Sequence, residues 1–247
     1  MDKYGLIGYP LVHSHSKDFF AEKFEREGID AVYENFEIPE ANMLMSIIRN
    51  NPTLRGLNCT IPHKQAIIPL LDELSPEAQE IGAVNVIEIC RKDNGTVRLK
   101  GHNTDIVGFI ESIRPMLQPY HKKALILGTG GASRAIRAGL ERLGLAWKYV
   151  SRNRKDNVFS YEDITPHVLQ EYKVIVNCSP VGMYPHIDEA PVLSYNALGS
   201  EHLLFDLVYN PEETEFMRRG AQYGAKVKNG QEMLQLQALA SWEIWNP

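Results

Sequence analysis

One stretch, residues 122–136 (KKALILGTGGASRAI), constrains the fold of this chain more than any other. A short apolar run leads into Gly128, Gly130 and Gly131, and a helical pattern begins near Ala132. A strand, a glycine turn and a helix in that order can bind a dinucleotide pyrophosphate, because the backbone approaches closely and the helix start offers N–H groups. Ser133 holds the third position of the G-x-G-x-x-G pattern. Such a fingerprint alone is a weak signal, so an ordinary strand-to-helix turn stays the alternative.

The segment after the next predicted strand indicates which dinucleotide is bound. Residues 147–150 read as that strand, and they run into Ser151, Arg152, Asn153, Arg154 and Lys155. An NAD site usually has an acidic residue here, about 20 residues past the glycines, which binds the ribose 2′-hydroxyl. Three cations without a carboxylate in residues 151–155 suit a 2′-phosphate instead, so the pattern favours NADP. The alternative is a solvated basic turn.

Length and element order predict an α/β protein. The chain has 247 residues, enough for one large domain or for two domains of ordinary size. In the first half, strands are expected at residues 3–9, 31–38, 57–60, 84–90 and 96–100, and helices near 16–28, 40–50 and 64–71. In the second half, a helix at 106–117 precedes strands at 124–127, 147–150, 173–177, 203–206 and 226–228, with helices at 213–223 and 231–245. Strands alternating with helices imply a parallel sheet wound on both faces.

Composition narrows the class of protein. The formal net charge is -5, and no basic tail or run argues for a nucleic-acid partner. No apolar stretch has the length of a membrane span, and residues 1–10 do not resemble a signal peptide. The three cysteines are far apart and match no pairing motif, so we expect a reduced, cytoplasmic protein. The oligomeric state is left open.

Two serines stand before the first predicted helix, in His13-Ser14-His15-Ser16. Hydroxyls at a helix start can bind a carboxylate together with backbone N–H groups, although one serine as a simple N-cap is an equal alternative. No cysteine or carboxylate joins the two histidines at ligand spacing, so no metal site is expected.

Three further residues are candidates for chemistry. Lys64 lies in the first turn of its predicted helix, where the helix dipole disfavours a cation, so it is a candidate acid–base group or else an exposed lysine. Asp105 begins the next helix, and capping alone explains it. Gln237 is polar within the apolar stripe of the last helix and needs a partner in protein, water or ligand.

Eight motifs in the chain together resemble the shikimate dehydrogenase family over essentially the full length. They are GYPLVHSHS, GLNCTIPHK, IGAVNV, GHNTDIVGF, LGTGGASRAI, NCSPVGM, DLVYNPEET and NGQEMLQLQA. The resemblance implies an enzyme of aromatic amino acid and chorismate biosynthesis that reversibly reduces 3-dehydroshikimate to shikimate with NADPH. It also implies an α/β substrate domain over residues 1–104, with the C-terminal helix 231–247 packing back on it, and a Rossmann-like, doubly wound NADP-binding domain over residues 105–230.

The resemblance also implies residue roles. Lys64 and Asp105 match the catalytic pair. Positions that hold the substrate carboxylate, hydroxyls and ring are matched by Ser14, Ser16, Asn58, Thr60, Asn85, Tyr209 and Gln237. Cofactor positions are matched by Gly128, Gly130, Gly131, Ala132, Ser151, Arg152, Asn153, Arg154, Gly230 and Met233.

Two other functions fit the same residues. One is a quinate or shikimate dehydrogenase that uses NAD or NADP, and the other is a nucleotide-sensing relative without turnover. The retained Lys64 and Asp105 argue against the inactive protein, and Arg152 argues against NAD. Tyr9 and Lys17 depart from the family motif around the serines, and the effect of these departures is left open. Selectivity between shikimate and quinate and the strength of the NADP preference are also left open.

Overall fold

The computed structural model describes residues 1–11, 15–152 and 157–247. It divides the chain into two compact units. Unit 1 comprises Met1–Thr104 and Gln237–Pro247, and unit 2 comprises Asp105–Leu236. The second boundary falls within the last helix, so one continuous helix contributes residues to both units.

Unit 1 is built on a mixed sheet with helices and short turns between its strands. Its strands are β1 (Asp2–Gly8), β2 (Ala31–Glu37), β3 (Leu54–Cys59), β4 (Glu73–Leu74), β5 (Val86–Arg91) and β6 (Val97–His102). Its α-helices are α1 (Ser16–Glu27), α2 (Leu44–Asn50), α3 (His63–Ala66) and α4 (Pro76–Ile81).

Among the described residues, the strands of unit 1 run in the order β2-β1-β3-β5-β6-β4. β1 pairs in parallel with β2 and β3, whereas β3–β5 and β5–β6 are antiparallel. The antiparallel pair β5–β6 is the hairpin expected from the sequence. Because β5 runs against β3, the start of β5 lies beside the end of β3, with Asn58 opposite Val86.

Three helices are shorter than the sequence analysis predicts, and two of them end near a proline. The helix expected at 64–71 is α3, and a 3-10 turn at Ile68–Leu70 replaces its second half. The helix expected at 106–117 ends at Ile113 and continues as the 3-10 turn Arg114–Met116. Pro69 and Pro115 lie in these turns and lack the N–H that an α-helix needs. The helix expected at 40–50 begins instead as a 3-10 turn, Ala41–Met43.

Unit 2 alternates strands and helices throughout. Its strands are β7 (Lys123–Leu127), β8 (Ala146–Ser151), β9 (Val158–Ser160), β10 (Val174–Asn177), β11 (Leu203–Asp206) and β12 (Lys226–Lys228). Its helices are α5 (Asp105–Ile113), α6 (Gly131–Arg142), α7 (Pro166–Glu171), α8 (Glu215–Gln222) and the start of α9 (Gln231–Trp245).

The sheet of unit 2 is parallel, in the order β12-β11-β10-β7-β8-β9 within the described residues. Alternate residues of its central strands enter two separate apolar clusters. Ala124 and Ile126 belong to the cluster around Phe109, and Leu125 and Leu127 belong to the one around Phe216. Both faces are therefore covered, as the doubly wound prediction requires.

The C-terminal half of α9 packs into an aromatic cluster of unit 1 that contains Tyr4, Phe20, Phe24 and Tyr33. Trp245 stacks on Tyr4 with ring centroids 5.0 Å apart, and its Nε1 donates to the Ile87 carbonyl at 3.2 Å. A Cβ at Gly56 would overlap the Trp245 ring, so only glycine allows this approach without a shift. Within the described part of the chain, no helix meets the length and apolarity that a membrane span needs.

Candidate active site

A set of polar residues lies where β3 ends and β5 begins in unit 1. Asn58 is the second-last residue of β3, Thr60 follows the strand, and Asn85 directly precedes β5. Two backbone hydrogen bonds join these segments: Cys59 N–H to the Asn85 carbonyl at 2.8 Å, and Val84 N–H to the Lys64 carbonyl at 2.7 Å. The topology therefore brings four predicted site residues, Asn58, Thr60, Lys64 and Asn85, to one edge of this sheet.

Both asparagines are buried and held by several hydrogen bonds. Asn58 is 5% exposed, its Oδ1 accepts from the Tyr33 hydroxyl at 2.7 Å, and its Nδ2 donates to Ser241 Oγ at 3.0 Å. Asn85 is 3% exposed, its Oδ1 accepts from the Thr104 N–H at 2.7 Å, and its Nδ2 donates to Thr104 Oγ1 at 2.9 Å. These bonds satisfy buried amides that would otherwise destabilise the fold.

The last helix completes this set of contacts. Gln237, half-buried, accepts from Asn85 Nδ2 through Oε1 at 3.3 Å. Ser241 lies one turn later on α9 and donates to the Gln237 carbonyl at 2.7 Å. Ser16 opens α1 and forms a side-chain hydrogen bond with Tyr33. Ser14, the other serine predicted to hold a carboxylate, lies outside the described residues.

Three of these polar residues, Tyr33, Thr104 and Ser241, are absent from the prediction. A signal existed for Ser241, because it repeats the polar interruption of Gln237 four residues later in an apolar helix. No comparable local pattern marks Tyr33, whose alternating strand accounts for an aromatic residue without any polar partner.

The glycine loop of unit 2 has the geometry that a pyrophosphate needs. Gly128 adopts φ 106°, a left-handed conformation that favours glycine, and its N–H donates to the Val150 carbonyl at 2.8 Å. At Gly130, an added Cβ would meet no described atom within 4 Å, so the loop leaves space above the start of α6. Among the described residues, no side chain caps α6 at Gly130. The loop therefore fits a dinucleotide phosphate.

Ser133 fills the third glycine position without disturbing this turn. It is 1% exposed, and its hydroxyl donates to the Gly130 carbonyl at 2.7 Å. Gly131 and Ala132 form the first turn of α6 and are half-buried.

The predicted 2′-phosphate residues follow β8, which pairs with the strand before the glycine loop. Ser151 ends β8 and Arg152 follows it, exposed. The Arg152 charge acts on Tyr161, whose pKa is nonetheless raised because burial disfavours its phenolate. Asn153 and Arg154 lie outside the described residues. Of the predicted 2′-phosphate residues, the described part of the chain therefore shows one guanidinium, the exposed Arg152 after β8.

The other predicted residues of unit 2 lie beyond the ends of its strands. Tyr209 is half-buried in the loop after β11, and burial raises its pKa. Gly230 is buried against Leu207, whose carbonyl an added Cβ would strike. Met233 is 7% exposed and packs in the core cluster of Phe109.

Asp206 anchors the loop that carries Tyr209. Its carboxylate is fully buried and accepts from the Thr214 hydroxyl at 2.7 Å, the Val208 N–H at 3.0 Å and Asn177 Nδ2 at 2.9 Å. Burial raises the pKa of Asp206 to about 6, although these three hydrogen bonds lower it.

The expected acid–base pair is divided between the units. Lys64 is a half-buried residue of α3 in unit 1, and Asp105 is the 6% exposed first residue of α5 in unit 2. Their pairing stays a prediction. Within residues 1–11, 15–152 and 157–247, no group of three or more His, Cys, Asp or Glu side chains could hold a metal ion.

Comparison with known proteins decides the family. Residues 6–87 match the model of a family described as the shikimate dehydrogenase substrate binding domain, and this segment lies within unit 1. The shikimate dehydrogenase (NADP(+)) of Syntrophomonas wolfei is 37% identical, in an alignment that covers 97% of this chain and 88% of the relative. The chain belongs to the shikimate dehydrogenase family.

Solved structures of shikimate dehydrogenases have the same fold. Shikimate dehydrogenase 1 from Peptoclostridium difficile is 37% identical with a TM-score of 0.84, covering 99% of this chain and 91% of that one. Shikimate 5-dehydrogenase from Thermus thermophilus, solved in complex with NADP(H) and shikimate, is 32% identical with a TM-score of 0.85 and covers 100% and 94%. The resemblance inferred from eight short motifs is thereby confirmed.

Proposed function

We propose that this member of the shikimate dehydrogenase family catalyses the reversible, NADPH-dependent reduction of 3-dehydroshikimate to shikimate, a step of aromatic amino acid and chorismate biosynthesis. One observation carries the proposal. The chain aligns over 97–98% of its length with NADP-dependent shikimate dehydrogenases, and the polar edge of unit 1 lies within that alignment. The alternative quinate dehydrogenase is not favoured, because relatives that align with 97–98% of the chain are shikimate dehydrogenases (NADP(+)).

The two units take different parts in this reaction. We assign unit 1 to the substrate, with Ser14 and Ser16 on its carboxylate. The ring and hydroxyls are assigned to Asn58, Thr60, Asn85, Tyr209 and Gln237. The half-burial of Thr60 and Gln237 beside two buried asparagines supports a site that binds a small polyhydroxylated ring.

Unit 2 is assigned to NADP. The pyrophosphate is assigned to Gly128, Gly130, Gly131 and Ala132, and the 2′-phosphate to Ser151, Arg152, Asn153 and Arg154. Gly230 and Met233 are assigned to the nicotinamide end. The open space at Gly130 and the exposed guanidinium of Arg152 support these assignments.

Lys64 and Asp105 are assigned to acid–base chemistry. When bound, NADPH supplies a hydride to the carbonyl carbon of the substrate at C3. The C3 oxygen then needs a proton, and a lysine ammonium in hydrogen-bond reach both delivers it and stabilises the developing negative charge. Asp105 is assigned to hold that ammonium in place. The half-buried position of Lys64, with its backbone tied to Val84 beside Asn85, supports this role.

The cysteines support a reducing compartment such as the cytoplasm. Cys59, Cys90 and Cys178 form no disulfide, and burial raises the pKa of Cys178 well above its ordinary value. A thiol that stays protonated reacts slowly, so Cys178 has the properties of a structural residue.

The first experiment is an absorbance assay for reduced nicotinamide that crosses shikimate and quinate with NADP and NAD. Turnover of shikimate with NADP, at a kcat/KM higher than the other three combinations, is expected. Preferred oxidation of quinate would replace the proposal by the quinate enzyme, and binding of NADP without any turnover would replace it by a nucleotide-sensing protein.

The second experiment removes the proposed proton donor. Lys64→Ala is expected to lower kcat by about 10²–10⁴-fold, roughly 3–5 kcal/mol of transition-state stabilisation, while NADP affinity and the thermal midpoint persist. Lys64→Arg is expected to be nearly as slow, because a guanidinium does not release its proton near neutral pH. Lys92→Ala, which removes an exposed lysine of the β5–β6 turn, is the control. A Lys64→Ala enzyme with ordinary kcat refutes the assignment.

A further inference from the structure

Five buried side chains of unit 1 form one continuous hydrogen-bonded group, which we call the amide network: Tyr33, Asn58, Asn85, Thr104 and Ser241. None is more than 5% exposed. Tyr33, Thr104 and Ser241 have no role in the proposed function. Their hydrogen bonds lead to the two asparagines assigned to substrate hydroxyls. These bonds therefore restrict the orientation of the asparagine side chains.

The hydrogen atoms of Ser241 can be assigned from its neighbours. Its Oγ lies 2.7 Å from the Gln237 carbonyl, which can only accept, so Ser241 donates there. Its oxygen then accepts from Asn58 Nδ2 at 3.0 Å and from Thr104 Oγ1 at 3.2 Å. Thr104 Oγ1 in turn accepts from Asn85 Nδ2 at 2.9 Å. Each donor in this series of hydrogen bonds is therefore paired with an acceptor.

The orientation of the Asn58 amide follows from the same reasoning. Its nitrogen faces Ser241 Oγ and, at 3.4 Å, the Asn85 carbonyl, which can only accept. Its oxygen faces the Tyr33 hydroxyl at 2.7 Å, which donates. A flipped amide would place an oxygen against a carbonyl oxygen and against a hydroxyl whose proton is already used. Both N–H groups of Asn58 are thus engaged, and a ligand can address this side chain only at Oδ1.

Tyr33 is suited to hold Oδ1 in this direction. Burial raises its pKa well above the ordinary value, so the phenol keeps its proton and remains a donor at working pH. Its ring is held by Phe20, stacked with centroids 4.5 Å apart. The side-chain hydrogen bond between Tyr33 and Ser16 also connects the proposed carboxylate site to Asn58.

We propose that Tyr33 and Ser241 are positioning residues that present Asn58 to the substrate as a hydrogen-bond acceptor, and thereby select a ring hydroxyl that donates its proton. The inference rests on the proposed function, in which Asn58 holds a substrate hydroxyl. It adds a specificity rule, since a group that accepts but cannot donate is disfavoured at the position that Asn58 contacts.

The variants Tyr33→Phe and Ser241→Ala test the positioning roles. Each is expected to raise the KM for shikimate about 3- to 10-fold, the effect of one hydrogen bond, with kcat changed less than KM and the KM for NADP unchanged. Tyr4→Phe and Ser112→Ala are matched controls. Tyr4 lies in the same aromatic cluster as Tyr33, and its hydroxyl donates to Asn246. Ser112 is a fully buried helical serine that donates to the Phe109 carbonyl.

Substrate analogues test the direction of the hydrogen bond in the unaltered enzyme, so the inference does not depend on a variant folding. Shikimate with the C4 or the C5 hydroxyl replaced by fluorine or by hydrogen is assayed in turn. At the position that Asn58 contacts, both replacements should lower kcat/KM equally, because fluorine accepts but does not donate. Tyr33→Phe should reduce the preference for the hydroxyl over its replacements at this position about 3- to 10-fold, since Oδ1 then loses the donor that holds its direction.

The outcomes separate the two proposals. If the wild-type enzyme does not turn over shikimate, the proposed function itself is refuted. Normal turnover, with Tyr33→Phe and Ser241→Ala indistinguishable from their controls in KM, overturns the positioning roles and leaves the function standing. A fluorinated substrate that is clearly better than the deoxy one at both positions shows that Asn58 offers an N–H, which overturns the proposed polarity.

Discussion

The stability of unit 2 between pH 4 and 7 is expected to depend on one buried carboxyl group, Asp206. Burial raises its pKa from an ordinary value of 3.8 to about 6. The folded chain therefore binds this proton more tightly than the unfolded chain does. The stabilisation is fully present below about pH 3.8 and is lost as the pH rises through about 6.

The expected size follows from the difference between the two pKa values. A difference of about two pKa units, at roughly 1.4 kcal/mol each, corresponds to about 3 kcal/mol of unfolding free energy. Asp206→Asn cannot ionise and keeps an oxygen that can accept from Val208 and Asn177. The wild-type protein should therefore lose about 3 kcal/mol relative to this variant across the pH range.

Urea unfolding of both proteins at half-unit pH intervals from 4 to 7.5, at constant ionic strength, measures the effect. Amide exchange of peptides that contain β11 assigns it to unit 2. Asp188→Asn, the same change at an exposed residue, is the control. A difference between wild type and Asp206→Asn that is constant with pH, or that increasingly favours the wild type as pH rises, refutes the reasoning.

Two further predictions use other parts of the chain. Arg152→Asp should weaken NADP binding about 10- to 100-fold and NAD binding far less, because a charged hydrogen bond to the 2′-phosphate becomes a repulsion; titration calorimetry with both nucleotides measures this, and equal losses contradict it. Trp245→Ala should lower the unfolding free energy by about 3–5 kcal/mol. Gly56→Ala should lower the unfolding free energy by about 1–3 kcal/mol in the wild-type background and by much less in the Trp245→Ala background, since the added Cβ clashes with that ring. A urea double-mutant cycle in which the two losses are additive contradicts this.

Elements with a strong local pattern could be predicted from the sequence. The strands at 203–206 and 226–228 and the helix at 231–245 have the expected bounds. The strand at 203–206 and the helix at 231–245 are apolar runs, whereas the three residues at 226–228 could be predicted because Gly224 and Gly230 bound them. The glycine turn was found for the same reason, because its function requires a particular residue type at a particular position.

Short elements escaped the sequence analysis. The strands β4 and β9 have two and three residues, too few for an alternating pattern to be distinguished from a loop. α7 also went unpredicted, although Thr165 and Pro166 form a recognisable helix start: the threonine hydroxyl accepts from the Val168 N–H at 3.4 Å. The start of α7 could therefore have been predicted from this pair of residues.

The site residues differ in whether a sequence pattern marks them. Asn58 and Asn85 were identified through family motifs, because nothing in their spacing places them together. Tyr33 and Ser241 contact Asn58 across 25 and 183 residues of sequence, and such long-range contacts leave no local pattern. Sequence reasoning thus found the groups proposed to contact ligand and missed the groups that orient them.

Topology explains why the candidate residues of each unit gather at a single sheet edge. In the parallel sheet of unit 2, the loop glycines, Arg152 and Tyr209 all follow the carboxyl ends of strands, where such sheets bind ligands. Unit 1 has a mixed sheet, and there Asn85 comes before its strand. Because β5 is antiparallel to β3, its beginning lies at the edge where β3 ends, so Asn85 contacts Asn58 and Cys59. A search for site residues in such a sheet must therefore include the residues before each antiparallel strand as well as those after each parallel one.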